Sequence, residues 1–376
     1  MCHVHTSSYA QRAWTITFPS GDCGPEIGTS IMTFKCLCLL GILLMAGLVS
    51  AQQRWLTAAD KALQTDGTFT EFPLPNPGSG PTTIALAQDG TLWFTESAGN
   101  RIGRMNPDGT GLKEFPLPNP GSSPRIIALG SDGNMWFSEH TGNRMGRIAP
   151  DGSITEFPIP TANSMPRAIA LGPDGNIWFG EFGGGQIGRI TPQGVITEFP
   201  IHTPDSGPRA LAAGPDGNIW FSEFNASKIG RITPQGVITE FTLPRPNSGP
   251  GDITAGADGN MWFVELSGTM DGRKPDGNRV GRVTMKGDIT EFPIPSPTGS
   301  PINVAVGPDR NVWFTKGSLV GRVTPDGTIT EFPLPMPNGG ATGLTAGSDR
   351  QPPGRLGNRL WVAESAGNKL AFLSFE

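Results

Sequence analysis

Cysteine is nearly absent where it would matter: of 376 residues, the 4 cysteines are Cys2, Cys23, Cys36 and Cys38, and everything after them is cysteine-free. Disulfides, thiol chemistry and cysteine-held metals are therefore excluded from the rest of the chain. Charge is sparse as well, with 16% charged residues, a formal net charge of −5 and no Lys/Arg cluster. That excludes a dedicated nucleic-acid surface. Histidine is scarce, with 4 in all and only His140 and His202 beyond residue 51. Apolar runs at helical period are missing throughout. The longest apolar run, residues 36–49, falls short of the roughly 20 residues a membrane-spanning helix needs.

What is abundant is glycine and proline, 53 and 37 residues, alongside plentiful Trp, Phe, Ile and Leu. Disorder would lack the large apolar residues, so the composition predicts a turn-rich all-β domain, and the chain is long enough to bury a sizeable core.

From Met32 the chain reads "MTFKCLCLLGILLMAGLVSAQQ", a lysine, an apolar run and then Val49-Ser50-Ala51. This order predicts a secretory signal peptide over 32–51 with cleavage after Ala51. Met32 is then the expected initiator, with residues 1–31 an upstream mis-translation. Cys36 and Cys38 precede the apolar run instead of closing it, which disfavours a lipoprotein. The mature protein is expected outside the cytoplasm, periplasmic or extracellular, with no membrane attachment after cleavage. Residues 52–67, "QQRWLTAADKALQTDG", form a lead-in able to make one short helix.

Beyond residue 67 the chain repeats itself. The Trp of Trp-Phe-x-Glu and its variants falls at 93, 136, 178, 220, 262, 313 and 361, and the Glu of Glu-Phe-Pro or Glu-Phe-Thr at 71, 114, 156, 198, 240, 291 and 331. The Trp spacings are 43, 42, 42, 42, 51 and 48, so the last two intervals carry insertions. One period holds four strand-like pieces, "PRALAAG", "NIWFSE", "KIGRITP" and "VITEFTLP", separated by Pro-Asp-Gly or Pro-Gln-Gly turns. Four antiparallel strands per period predict a propeller blade. The repeats open on a lone outer strand, "TFTEFPLP" (68–75), and end on three inner strands finishing at residue 376. Neither end is a whole blade, but together they make one. The expected fold is therefore all-β, a seven-bladed β-propeller over 68–376 whose N-terminal strand completes the C-terminal blade and leaves no free edge in the ring.

The blade "GPRALAAGPDGNIWFSEFNASKIGRITPQGVITEFTLP" (207–244) resembles the repeat of the virginiamycin B lyase (streptogramin B lyase) family, and the resemblance extends over 68–376. It implies a seven-bladed propeller and a magnesium-dependent carbon–oxygen lyase that linearises cyclic streptogramin B antibiotics, inactivating them, by elimination across an ester. In that chemistry a His is the general base and carboxylates with Mg2+ stabilise the enolate. The resemblance places the catalytic His directly after the Pro that opens an innermost strand. The seven matching positions are Thr82, Arg125, Arg167, Arg209, Gly251, Ile302 and Thr342, and none is His.

Blade geometry sets the start of the innermost strand and the loop after Trp-Phe-x-Glu on the same face. Arg125, Arg167 and Arg209 are thereby expected at one channel mouth with Glu139, Glu181 and Glu223. One reading is a charged funnel for a polar or anionic ligand, since guanidinium forks suit carboxylate or phosphate. The other is a ring of Arg–Glu pairs that stitches neighbouring sheets. His140 in "WFSEHTGN" and His202 in "FPIHTPDSGP" sit in loops on that face and do not recur, so His202 joins the binding candidates. His140, Glu139 and Glu181 are the candidate catalytic groups. No closely spaced ligand motif marks a metal site. The insertions over 266–282 and 348–359 lengthen loops on opposite faces. The expected function is an exported propeller, monomeric, that binds a small molecule, peptide or carbohydrate, with lyase chemistry, lactone-type hydrolysis or a purely scaffolding role as alternatives. Edman sequencing of the exported protein should begin at Gln52; a start within 1–31 contradicts the reading of the leader.

Overall fold

The computed structural model describes residues 69–267, 276–335, 340–347 and 359–374. The chain divides into two units, Met1–Thr65 and Asp66–Glu376, and the described residues belong to the second. The expected signal peptide, the lead-in helix and most of both insertions lie outside the described residues.

The described chain forms 28 strands in seven four-stranded antiparallel sheets. Blade one spans residues 81–116, blade two 124–158, blade three 166–200, blade four 208–242, blade five 250–293 and blade six 301–333. Blade seven takes its inner three strands from 341–374 and its outer strand from Phe69–Pro73. That closure runs in register from Phe69 opposite Leu373 to Pro73 opposite Lys369. The ring is therefore closed by backbone hydrogen bonds between the two ends of the repeat region, as the phase of the sequence required.

Each blade is built around its Trp. In blades two to six the turn ahead of the second strand carries an Asp whose carboxylate accepts the indole N–H, as Asp174 does from Trp178 Nε1 at 3.0 Å, while Gly175 takes the positive φ of +77° that the turn demands; in blade one Thr91 Oγ1 accepts it instead, at 3.1 Å. The indole is then wedged between sheets with at most 2% of it exposed. On its own blade it stacks on the outer-strand Phe, as Trp178 does on Phe199 with centroids 5.6 Å apart. Across the gap it meets the next blade, where Trp178 packs with Leu211, Ile219 and Phe221. The third-strand Arg covers the stack, with the Arg189 guanidinium 5.5 Å over both rings, and reaches the next blade by donating to the Pro234 carbonyl at 3.0 Å. The same latch joins Arg104 to Pro150, Arg147 to Pro192, Arg231 to Met285 and Arg282 to Pro325; across the closure Arg359, which opens the second strand of blade seven and lies over Phe372, donates to the Pro107 carbonyl instead. The glycine before that Arg is equally constrained: a Cβ on Gly188 would lie 2.1 Å from the Phe179 ring.

In the closing blade Phe72 supplies this outer ring, 5.8 Å from Trp361 and 6.0 Å from Phe372. Phe72→Ala should destabilise the protein by about 3 kcal/mol, the low end for truncating a Phe because the side chain is half-buried. Urea denaturation of the purified protein measures it, and an unchanged midpoint contradicts the closure.

Candidate functional site

The innermost strands of neighbouring blades run side by side around the ring. Each begins at a residue paired with the end of its own second strand: Pro124 opposite Glu139, Pro166 opposite Glu181, Pro208 opposite Glu223. Arg125, Arg167 and Arg209 follow those prolines, so one end of the ring carries a cationic side chain on each of three consecutive blades. Arg167 is 7% exposed, and its guanidinium lies 5.1 Å over the Phe182 ring; Arg209 lies 5.1 Å over Phe224. Phe182 and Phe224 meet each other with centroids 6.3 Å apart. The result is one cluster, Arg167, Phe182, Phe224 and Arg209, spanning blades three and four.

The second-strand acids go elsewhere. Glu139, Glu181 and Glu223 are fully buried, inside their blades rather than open to the mouth. Burial pushes Glu139 up to about 7, with the Glu156 carboxylate adding to it. Glu181 and Glu223 are pushed up to about 8 by burial and then by Glu198 and Glu240, with Lys228 opposing in the latter. At neutral pH Glu181 and Glu223 therefore mostly hold their protons while Glu139 is divided between its two forms, and all three are buried away from the mouth.

His140 occupies the position that Phe182 and Phe224 fill in the next two blades. Its Nδ1 lies 3.3 Å from the Pro166 carbonyl, an acceptor, so Nδ1 is the donor and the lone pair falls on Nε2. His202 is placed apart from this cluster: its side chain is 70% exposed and its Nδ1 is 3.7 Å from Glu240 on the outer strand of blade four. Among the described residues no three His, Cys, Asp or Glu side chains converge to hold a metal ion. The side chains at this end, arginines, phenylalanines, one histidine and the single carboxylate of Asp252 on blade five, do not suit Mg2+, which takes several oxygen ligands.

Sequence reasoning missed Asp252, the second residue after the opening Pro of blade five. Its carboxylate accepts the Val304 N–H of blade six at 3.0 Å. Burial raises it to about 6, against the pull of the Val304 and Ile253 N–H groups and of Arg209. The signal was available: the matching positions read Thr83, Ile126, Ala168, Ala210, Asp252, Asn303 and Gly343, and a lone acid breaks the series. Phe182 and Phe224 were hidden because they follow a recurrent Glu. The ring end is thus polarised, cationic on blades two to four, acidic on blade five and uncharged at both positions on blades six, seven and one.

The family model for the virginiamycin B lyase family matches residues 51–271 and 203–375. The chain belongs to the virginiamycin B lyase family. It is 34% identical to a solved streptogramin B lyase, covering 82% of this chain and 98% of that one with a TM-score of 0.74. Virginiamycin B lyase from Staphylococcus aureus is 36% identical over 82% of this chain and 99% of its own, with a TM-score of 0.75; a catalytically inactive variant of it was solved with quinupristin. Among curated proteins, virginiamycin B lyase of Bacillus licheniformis matches at 46% identity over 41 residues, 11% of this chain and 14% of that protein. The propeller fold is thus shared with these solved lyases over 82% of this chain.

Arg209→Met removes the cation that opposes the burial of Asp252. The Asp252 midpoint should rise above about 6 when followed by NMR titration of its carboxyl carbon; an unmoved midpoint contradicts the pairing.

Proposed function

We propose that this protein is an exported propeller that binds a small anionic ligand at the arginine end of its channel, and that it does so in place of lyase chemistry. The observation that carries the reading is the trio Arg125, Arg167 and Arg209 at positions where the family resemblance expects a histidine base. A guanidinium stays charged at any physiological pH, so it cannot accept the α-proton of an ester. It is well suited to holding a carboxylate or phosphate, and the aromatic faces of Phe182 and Phe224 prearrange two of the three for it. Asp252 on the next blade supplies an acceptor for a hydroxyl or ammonium on the same ligand.

A second reading rests on His140. Its Nε2 lone pair could take the proton from the carbon next to the one that bears the ester oxygen; the electron pair would form a C=C bond between those two carbons while that carbon–oxygen bond breaks and the ester's acyl part leaves as a carboxylate. That elimination conserves mass, whereas lactone hydrolysis adds one water. Incubation of the mature protein with quinupristin and Mg2+ followed by chromatography with mass detection therefore separates three outcomes. The proposal expects unchanged quinupristin. An isomeric ring-opened product, lost in His140→Ala, favours the second reading, and a product heavier by one water favours a hydrolase.

Calorimetry with citrate and with inorganic phosphate tests the binding itself. Arg209→Met should weaken whichever anion binds by about 10- to 100-fold, the loss expected for one charged hydrogen bond of roughly 1.5–3 kcal/mol. Binding that is indifferent to Arg209 and to salt would contradict the site.

A further inference from the structure

The most repeated chemistry in the chain is not used by the ligand site. Six of the seven blades bring together two carboxyl groups: Glu96 with Glu114, Glu139 with Glu156, Glu181 with Glu198, Glu223 with Glu240, Glu265 with Glu291, and Glu364 with Glu71. The first of each pair lies at the end of the second strand, or two residues before it in blade five, and is fully buried; the second, on the outer strand, is half-buried. Hydrogen-bond donors reach the second member. Asn76 donates to Glu114, Asn119 to Glu156, the Thr161 backbone N–H to Glu198 at 3.0 Å, and Thr203 to Glu240 at 2.5 Å. Neither oxygen of the six inner glutamates has a donor in hydrogen-bond geometry, although the Ser79, Ser122 and Ser248 hydroxyls are near enough to favour the charged forms of Glu96, Glu139 and Glu265. The hydroxyls of Ser79, Ser122 and Ser248 donate to the backbone oxygens of Asn76, Asn119 and Arg245.

A buried carboxylate with both oxygens unsatisfied is costly, and a second carboxylate beside it makes it more so. One proton removes both penalties, because the inner acid's O–H becomes the donor and the repulsion disappears. Blade six shows the same requirement met another way. There Lys316 replaces the inner Glu, fully buried, with its ammonium donating to Ser296 Oγ at 2.7 Å and lying 4.0 Å from Glu331. A lysine stands where the other blades need a proton; burial lowers its hold on its own proton and Glu331 opposes that.

We propose that each of the six carboxyl pairs is a proton-binding site, holding one proton between an inner acid and an outer carboxylate, so that folding takes up protons and the ring loosens as the medium turns alkaline. The charged groups facing the pairs oppose this unequally. Arg101 lies 3.5 Å from Glu96 and 3.8 Å from Glu114, and Arg144 lies 3.9 and 3.8 Å from Glu139 and Glu156. Lys228 and His202 both face Glu240, Arg279 faces Glu291 at 3.9 Å, and Lys369 holds Glu71 at 2.7 Å. Blade three has Gln186 at the corresponding place, bonded to Thr161, so its pair has no cation there to oppose protonation.

Glu139 is raised to about 7 and Glu181, Glu223 and Glu265 to about 8, against an ordinary 4.5. Between 4.5 and those values the folded chain keeps protons that the unfolded chain has released, so stability falls as pH rises through the window and levels off above it. The effect is felt at the ligand end, since Glu139, Glu181 and Glu223 immediately precede His140, Phe182 and Phe224 in the chain.

Urea unfolding midpoints of the mature protein and of Glu181→Gln, measured from about pH 5 to about pH 9, test the proposal. The parent midpoint should fall between pH 5 and pH 8. Glu181→Gln, whose amide is a permanent donor toward Glu198, should show a shallower decline and a higher midpoint than the parent at the alkaline end. A parent midpoint that is flat or rises with pH overturns the proposal, as does a variant slope identical to the parent's. Should Glu181→Gln fail to fold, carboxyl-carbon NMR of the glutamate-labelled parent decides: four groups titrating at about 7 to 8 are expected. Titration of every glutamate below about pH 5, in the ordinary range, overturns it.

Discussion

Every blade depends on one interaction, the burial of its Trp between two sheets. A four-stranded sheet of this length has two apolar faces and cannot cover either alone, so it is stable only when a neighbour lies on each side. The indole supplies most of that shared surface. In blades two to five the Asp of the preceding turn holds its N–H, the outer-strand Phe lies flat against it, and the third-strand Arg covers it while bonding to the next blade's backbone. Because the latch is directed from one blade to the next, an open row would always end in an unpaired face. Ring closure by Phe69–Pro73 removes that end, and Arg359, bonded to the Pro107 carbonyl, carries the latch across the seam.

With packing fixed by residues that must repeat, function is left to positions that need not. The two residues after each inner-strand Pro and the residue after each second-strand acid are such positions. They vary from blade to blade while the scaffold stays constant, and their variation gives the ring end its polarity. Arg at these positions limits the chemistry available: a group that cannot release its proton can hold an anion but cannot accept a hydrogen from carbon. The nearby Phe rings keep two of these guanidiniums close to an apolar surface, where their attraction for an anion is less screened than in water.

The strands, the turns, the seven-fold repeat and the closing clasp were all legible in the sequence, because Trp spacing and the phase of the first and last strands determine them. Asp252 was legible in principle, as the one acid in its series, but six recurrent glutamates drew attention away from it. The burial of Glu139, Glu181 and Glu223 was not legible. A Glu ending a strand reads as a loop acid, and the partner that changes its character sits on the outer strand, brought near only by the blade's fold. The same holds for His202, which shares a face with His140 in sequence terms yet is directed to the outer rim beside Glu240.

The central claim is that the arginine end of the channel is an anion site. Crystals of the protein soaked with selenate, an oxyanion with a strong anomalous signal, test it most directly. An anomalous peak within hydrogen-bond reach of Arg167 and Arg209, abolished in Arg209→Met, is the predicted result. Selenate bound only elsewhere, in crystals whose dissolved protein opens quinupristin without adding water, would contradict it.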